Sequence, residues 1–188
     1  LLDPYNITIS TAIGNTSAIP DPVDPNGRLF KSTSSPSLID VDDINTALGA
    51  AGSSANVRIA TGPGTTSEGG NITWEPGASL DYSSSTGRLT LDASGYIQLN
   101  SNITTGSGGL TLNAGAGFVE AAAAATLALN GPLKISTGDS NIGTPGASAP
   151  AFAATLSGSG DLFKAGNGRL ILSGTNSGWT GAATVEAG

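Results

Sequence analysis

Apolar residues along this chain come in short bursts broken by single polar ones. Val57-Arg58-Ile59, Ile72-Thr73-Trp74, Leu80-Asp81-Tyr82, Leu89-Thr90-Leu91 and Ile97-Gln98-Leu99 are the first of them, and Leu110-Thr111-Leu112, Leu127-Ala128-Leu129 and Leu133-Lys134-Ile135 continue the series. A period of two is that of a β-strand with alternate side chains turned inward. Gly, Ser, Asn and Asp fill the gaps, and these residues favour turns. The pattern predicts many strands, each too short to bury a core alone.

A repeat search shows what stacks them. Leu89-Thr90-Leu91-Asp92-Ala93 returns after 21 residues as Leu110-Thr111-Leu112-Asn113-Ala114, and after a further 23 as Leu133-Lys134-Ile135-Ser136-Thr137. Leu170-Ile171-Leu172-Ser173-Gly174 reads as a fourth copy after a step of 37, lengthened by a Gly-, Pro- and Ala-rich loop insertion near 138–153. Each period holds about three bursts: Leu89, Ile97 and Ile103 in one, Leu110, Val119 and Leu127 in the next. Three short strands per repeat predict an all-β fold, a parallel β-helix of roughly 21–23-residue coils. Each strand then pairs with its equivalents in the coils above and below, about 4.8 Å away. Leu89 and Leu91, Leu110 and Leu112, Leu133 and Ile135, and Leu170 and Leu172 become rungs of inward ladders. A β-sandwich would need hairpin signals every 8–12 residues, and Asn-Gly turns between strands are scarce, Asn130-Gly131 being one.

The first 55 residues read differently. Tyr5–Ile9 alternates as a strand. Residues 14–36 carry Pro20, Pro22, Pro25 and Pro36 and predict a surface loop. Val41, Ile44 and Leu48 recur at helical spacing behind Asp40, which predicts a short helix over 41–48 with Asp40 as N-cap. Such a helix can cover an open end or side of a solenoid. The chain is thus divided into 1–55, the strand, Pro-rich loop and capping helix, and 56–188, the coils, within one continuous domain of a longer protein.

Composition narrows the chemistry. The chain has no His, Cys or Met, so Ser-His-Asp and Cys-His nucleophiles, thiolate or imidazole metal sites and disulfides are excluded. Fourteen acids against seven bases give a net charge of -7, no footprint for nucleic acid. No apolar run approaches a membrane span. Gly, Ser, Thr and Asn supply 85 of the 188 residues, and the repeat makes them the corners of coils.

Residues 156–188, LSGSGDLFKAGNGRLILSGTNSGWTGAATVEAG, resemble the autotransporter-associated β-strand repeat. The resemblance rests on Gly158, Gly160, Leu162, Lys164, Gly166 and Gly168, then on Leu170, Leu172, Ser173, Gly174 and Asn176, and finally on Trp179, Gly181, Thr184, Val185 and Gly188. Trp179 stands where Tyr is more usual. Residues 1–115 are more loosely similar to filamentous-haemagglutinin-like proteins, through LLDPYNITI, the short helix, NVRIAT, NITW and LTLDA. Both resemblances imply a right-handed parallel β-helix, bacterial secretion through an outer-membrane barrel in the same or a partner chain, and surface display in adhesins. The implied role is a stalk or passenger segment of a surface adhesin, non-enzymatic and without cofactor, holding or forming part of an attachment surface for a host glycan or protein.

Asp81 and Asp92 are the nearest approach to a catalytic carboxylate pair, but Asp92 aligns with Asn113, Ser136 and Ser173, which predicts turn capping just after each strand. Asp21, Asp24, Asp40, Asp42 and Asp43 could meet Ca²⁺, but lack calcium-loop spacing. Trp74, Trp179, Tyr82 and Tyr96 could stack on sugars, and strand positions predict packing instead. Gly106–Gly109 lacks the Lys of a phosphate loop and predicts a turn. Asn6, Asn15, Asn71 and Asn102 begin N-x-[ST] sequons. The alternatives to a stalk are a carbohydrate-active β-helix enzyme, which needs acids clustered with Arg58, Arg88 or Arg169, and a glycan-binding module using loops 14–36, 61–70 and 138–153.

Overall fold

The computed structural model describes residues 6–32, 37–49, 55–62, 69–115, 117–138 and 151–186. They form a parallel β-solenoid of about five turns with one short helix.

One turn visits three sheets. The long sheet holds β3 (Arg28–Lys31), β5 (Val57–Ala60), β8 (Leu89–Ala93), β11 (Leu110–Ala114), β14 (Leu133–Thr137), β16 (Leu162–Ala165) and β18 (Ala183–Val185), with β2 (Ile19–Pro20) antiparallel on its outer edge. The second sheet runs in the order β4 (Ser37–Asp40), β1 (Ile7–Ser10), β6 (Ile72–Trp74), β9 (Ile97–Leu99), β12 (Val119–Ala121). The third holds β7 (Leu80–Asp81), β10 (Ile103–Thr104), β13 (Thr126–Leu129), β15 (Thr155–Gly158) and β17 (Gly178–Trp179). From β8 onward the chain passes long, second, third and long again.

The 21- and 23-residue steps are the true register. Leu110 pairs with Leu89 on one side and Leu133 on the other, and Leu112 with Leu91 and Ile135. Val119 pairs with Ile97 and Leu127 with Ile103. All of these side chains are buried. Burial of one aliphatic side chain is worth about 2 kcal/mol, and stacked turns share each rung with two neighbours.

The fourth copy is elsewhere than the repeat predicts. Leu162, not Leu170, pairs with Leu133, and Lys164 stands beside Ile135. Leu172 bridges Phe152, which bridges Ala121, so Leu170–Leu172 extends the second sheet. The apolar-polar-apolar signature misleads here because a lysine occupies the inward position. The insertion is also shorter than 138–153. Residues 139–150 lie outside the described residues, but Phe152 is 1% exposed and belongs to the core. Ala121 closes β12, and Ala122 to Ala125 make the following turn, with the Ala125 N–H donating to Ala122 O at 3.0 Å.

The helix α1 spans Val41–Ala47, and the Asp40 carboxylate accepts the Asp42 N–H. Val41, Ile44 and Leu48 enter the core. The third sheet begins at β7, so the helix stands where that sheet would otherwise start. The stretch 14–36 is not all loop: β3 lies within it, with Leu29 and Phe30 buried. Four prolines mask a strand of only four residues.

Corner asparagines and aspartates tie one turn to the next. The side-chain oxygen of Asn71 accepts the Tyr96 N–H, that of Asn56 the Arg88 N–H, and that of Asn102 the Thr126 N–H. Asp161 does the same for Ala182. These bonds satisfy backbone donors at corners where no ladder partner is available, which accounts for the Asn content.

Candidate functional site

The long sheet carries the chemistry. Of the seven cations, Arg28, Lys31, Arg58, Lys134 and Lys164 lie on its strands. Asp92 and Asp161 stand among them, so the face carries both signs and is no cationic track for a polyanion.

Its best-built polar cluster is structural. Arg58 projects outward from β5 and meets the buried Asp21 through two hydrogen bonds, Nε to Oδ2 and Nη2 to Oδ1, both 2.9 Å. Such a bidentate pair is directional and strong. It pins the proline-rich loop onto the sheet, helped by Asn56 donating to Asp24 at 2.7 Å. The Arg58 side chain and the Val23 N–H hold the Asp21 carboxyl down from 3.8 to about 2. Asp92 adds a longer contact to Arg58 at 3.7 Å.

A carboxyl whose folded pKa is depressed stabilises above its unfolded pKa and loses that contribution as pH falls through the folded one. Asp21 therefore contributes fully above pH ~4, and its contribution is lost as pH falls toward ~2. Asp21→Asn is expected to cost about 2 kcal/mol at pH 7, because Arg58 stays behind without its carboxylate. Between pH 5 and 2 the variant's melting temperature should fall less steeply than the parent's. Parallel thermal melts check this, and identical slopes would refute the role of the pair.

Asp92 is not a turn cap. It lies within β8, beside Asn113 of β11, which is beside Ser136 of β14. Ser173 is not in that row. Asp81 does cap a turn, accepting the Ser83 N–H at 3.0 Å, and that bond lowers its pKa. Asp81 and Asp92 sit on different sheets and share no cleft. Among the described residues no group of three or more acids gathers to hold a metal, and Asp21, Asp24 and Asp40 are engaged as above.

The aromatics pack. Trp74 is fully buried and donates to Ala78 O at 2.5 Å. Tyr82 is buried and donates to Gly109 O at 2.9 Å, and burial raises its pKa. Tyr96 stacks on Phe118 with centroids 5.1 Å apart. Trp179 donates to Gly160 O at 2.7 Å. Gly106–Gly109 forms a turn closed by Gly109 N–H to Gly106 O.

Lys164 is the residue that sequence reasoning undervalued. It occupies the inward column of Ile59, Leu91, Leu112 and Ile135, yet is only 8% exposed. Its ammonium leaves the column to donate to Ala165 O at 2.6 Å and Gly166 O at 2.9 Å. Burial lowers its pKa. Gly166 is required here: its φ is +75°, and a Cβ would lie 2.5 Å from Thr137 O. Gly168 donates to Thr137 O, and the Asn176 side chain accepts the Leu156 N–H. Leu170 and Leu172 are half-buried against the core. Gly166, Gly168, Leu170, Leu172, Asn176 and Trp179 thus serve inter-turn packing, and Gly188 lies outside the described residues.

Compared with known proteins, the chain matches no family model, no curated protein and no solved structure.

Two shallow concavities flank β14. One, of about 470 Å³, is lined by Asn130, Lys134, Ser159, Asp161 and Phe163 among others, with the Lys134 ammonium 5.7 Å from the Phe163 ring centre. The other, of about 270 Å³, includes Asp92, Asn113, Ser136 and Asn167. Each has a single carboxylate, short of the pair that glycoside hydrolysis uses. No helix among the described residues is long and apolar enough to cross a membrane. Most of the candidate loops 61–70 and 138–153 lies outside the described residues.

Proposed function

We propose that the chain is a structural stalk or passenger segment of a secreted bacterial surface adhesin, non-enzymatic, exported through an outer-membrane barrel and displayed at the cell surface. The observation that carries this reading is the unbroken ladder of seven parallel strands in the long sheet, around one continuous core. Stacked turns of this kind resist bending and hold a distal tip away from a surface, and stability grows with turn number. The resemblance of residues 156–188 to the autotransporter-associated repeat supplies the biological setting. The most polar side-chain interactions on the long sheet pin a loop, as the Asp21–Arg58 pair does, and so serve shape.

A second reading is favoured by one feature. The concavity of Lys134, Phe163, Asp161 and Asn130 offers a ring face with hydrogen-bonding groups around it, which suits a neutral sugar. One experiment separates the two. In cells displaying the adhesin, this segment is replaced by an unrelated β-solenoid of equal length. Restored attachment is the expected result for a stalk. Attachment that is lost on replacement, and lost again with Phe163→Ser, would give the role to the concavity.

A further inference from the structure

The N-terminal strand is out of order. Regular winding would seat β4 against β6, since both belong to the second sheet in successive turns. Instead β1 lies between them. Ile7 pairs with Ser37 on one side and Ile72 on the other, and Ile9 with Ile39 and Trp74. Ile7 N–H donates to Asn71 O at 2.8 Å, and Ile9 O accepts from Glu75 N at 2.9 Å. The Asn6 side chain accepts the Asn71 N–H at 2.8 Å. Both isoleucines are fully buried.

The segment that follows completes a clasp. Asn15 and Thr16 N–H donate to Leu38 O, and the Asn15 side chain accepts the Leu38 N–H. β4 is therefore gripped between β1 and residues 15–16, and its edge is closed to further strands. Between the two jaws Thr11, Ala12 and Ile13 are exposed, Ile13 at 91%.

We infer that the place between β4 and β6 is a strand-accepting site whose ligand is an extended apolar-polar-apolar peptide, and that Asn6–Ser10 of a second copy can fill it. The walls supply backbone donors and acceptors on both sides, and the core supplies two sockets for alternate side chains, the two elements of strand addition. A second copy is the fitting occupant because its strand makes the same contacts and refills the same core sockets, and the exposed link at 11–13 lets the strand swing out. Exchange of an identical element needs no new interface. The cis strand has an effective concentration of order millimolar, so exchange between copies is expected at high local density, as on a crowded surface. This goes beyond the stalk reading and does not depend on it.

The test uses the full chain with a protease site in the Thr11–Ile13 link, cut after folding. A labelled peptide of residues 1–12 is expected to replace the cut strand at one per chain. The same peptide with Ile9→Asp should bind at least ~100-fold more weakly, since it would place a charge in a closed apolar socket. Uncut chains carrying two different labels, warmed together near their melting temperature at high concentration, should elute as mixed dimers. Failure of the labelled peptide to enter, or equal uptake of both peptides, would overturn the site. Uptake without mixed dimers would overturn the second copy as its occupant.

Discussion

Leu112→Asp is expected to abolish the cooperative thermal transition of the chain. Leu112 is fully buried and sits between Leu91 and Ile135 in the middle of the long sheet. The change removes about 2 kcal/mol of burial and places a carboxylate in a column whose one cation, Lys164, stands two rungs away with its ammonium on the Ala165 and Gly166 carbonyls. Together they exceed the 4–5 kcal/mol that marks exceptional substitutions, a large share of the ~5–15 kcal/mol that holds a domain together. Leu170→Asp is the internal comparison. Leu170 is half-buried and outside that ladder, so its loss should leave a cooperative melt at modestly lower temperature. Circular dichroism melts of the two variants decide the register: a native-like Leu112→Asp melt would refute it.

Gly109→Ala is the second large effect, and its origin is different. Gly109 has a φ of +77°, and a Cβ there would lie 2.1 Å from Pro132 O in the next turn. Its carbonyl accepts both the Leu89 N–H and the Tyr82 hydroxyl. A shift of this peptide therefore loosens the pairing of two turns and strips a buried phenol of its acceptor. Backbone strain and the unsatisfied hydroxyl together cost about 3 kcal/mol or more, which lowers the melting temperature by roughly 6–12 °C in a chain of this size. Gly77→Ala separates strain from collision. Its φ is +87°, but a Cβ there meets nothing within 4 Å, so it should cost about 1 kcal/mol. Equal losses in the two variants would show that crowding between turns plays no part.

The central turns were legible because their side chains repeat. LTLDA, LTLNA and LKIST place an aliphatic at their first and third positions, and only parallel stacking at steps of 21 and 23 superposes them. The helix was legible too, since Asp40, Val41, Ile44 and Leu48 state both cap and face. Much less of the candidate site could be read. Nothing near Arg58 in sequence announces Asp21, because 37 residues separate them and a loop must fold back to join them. Asp92 belongs to β8, which runs on to Ala93; alternation does not mark where a strand stops.

The sequence by itself therefore determined the solenoid and the register of its middle, where period-two burial and a constant repeat leave one consistent arrangement. Only the tertiary structure decided the two ends. At one end, β1 takes a place out of winding order, since seating Ile7 and Ile9 in the core between β4 and β6 outweighs chain order. Toward the other, Lys164 takes a core position because its aliphatic stem packs inward while its ammonium reaches the carbonyls of Ala165 and Gly166. Alternation reads a residue type as inside or outside. It does not see a long side chain that is both.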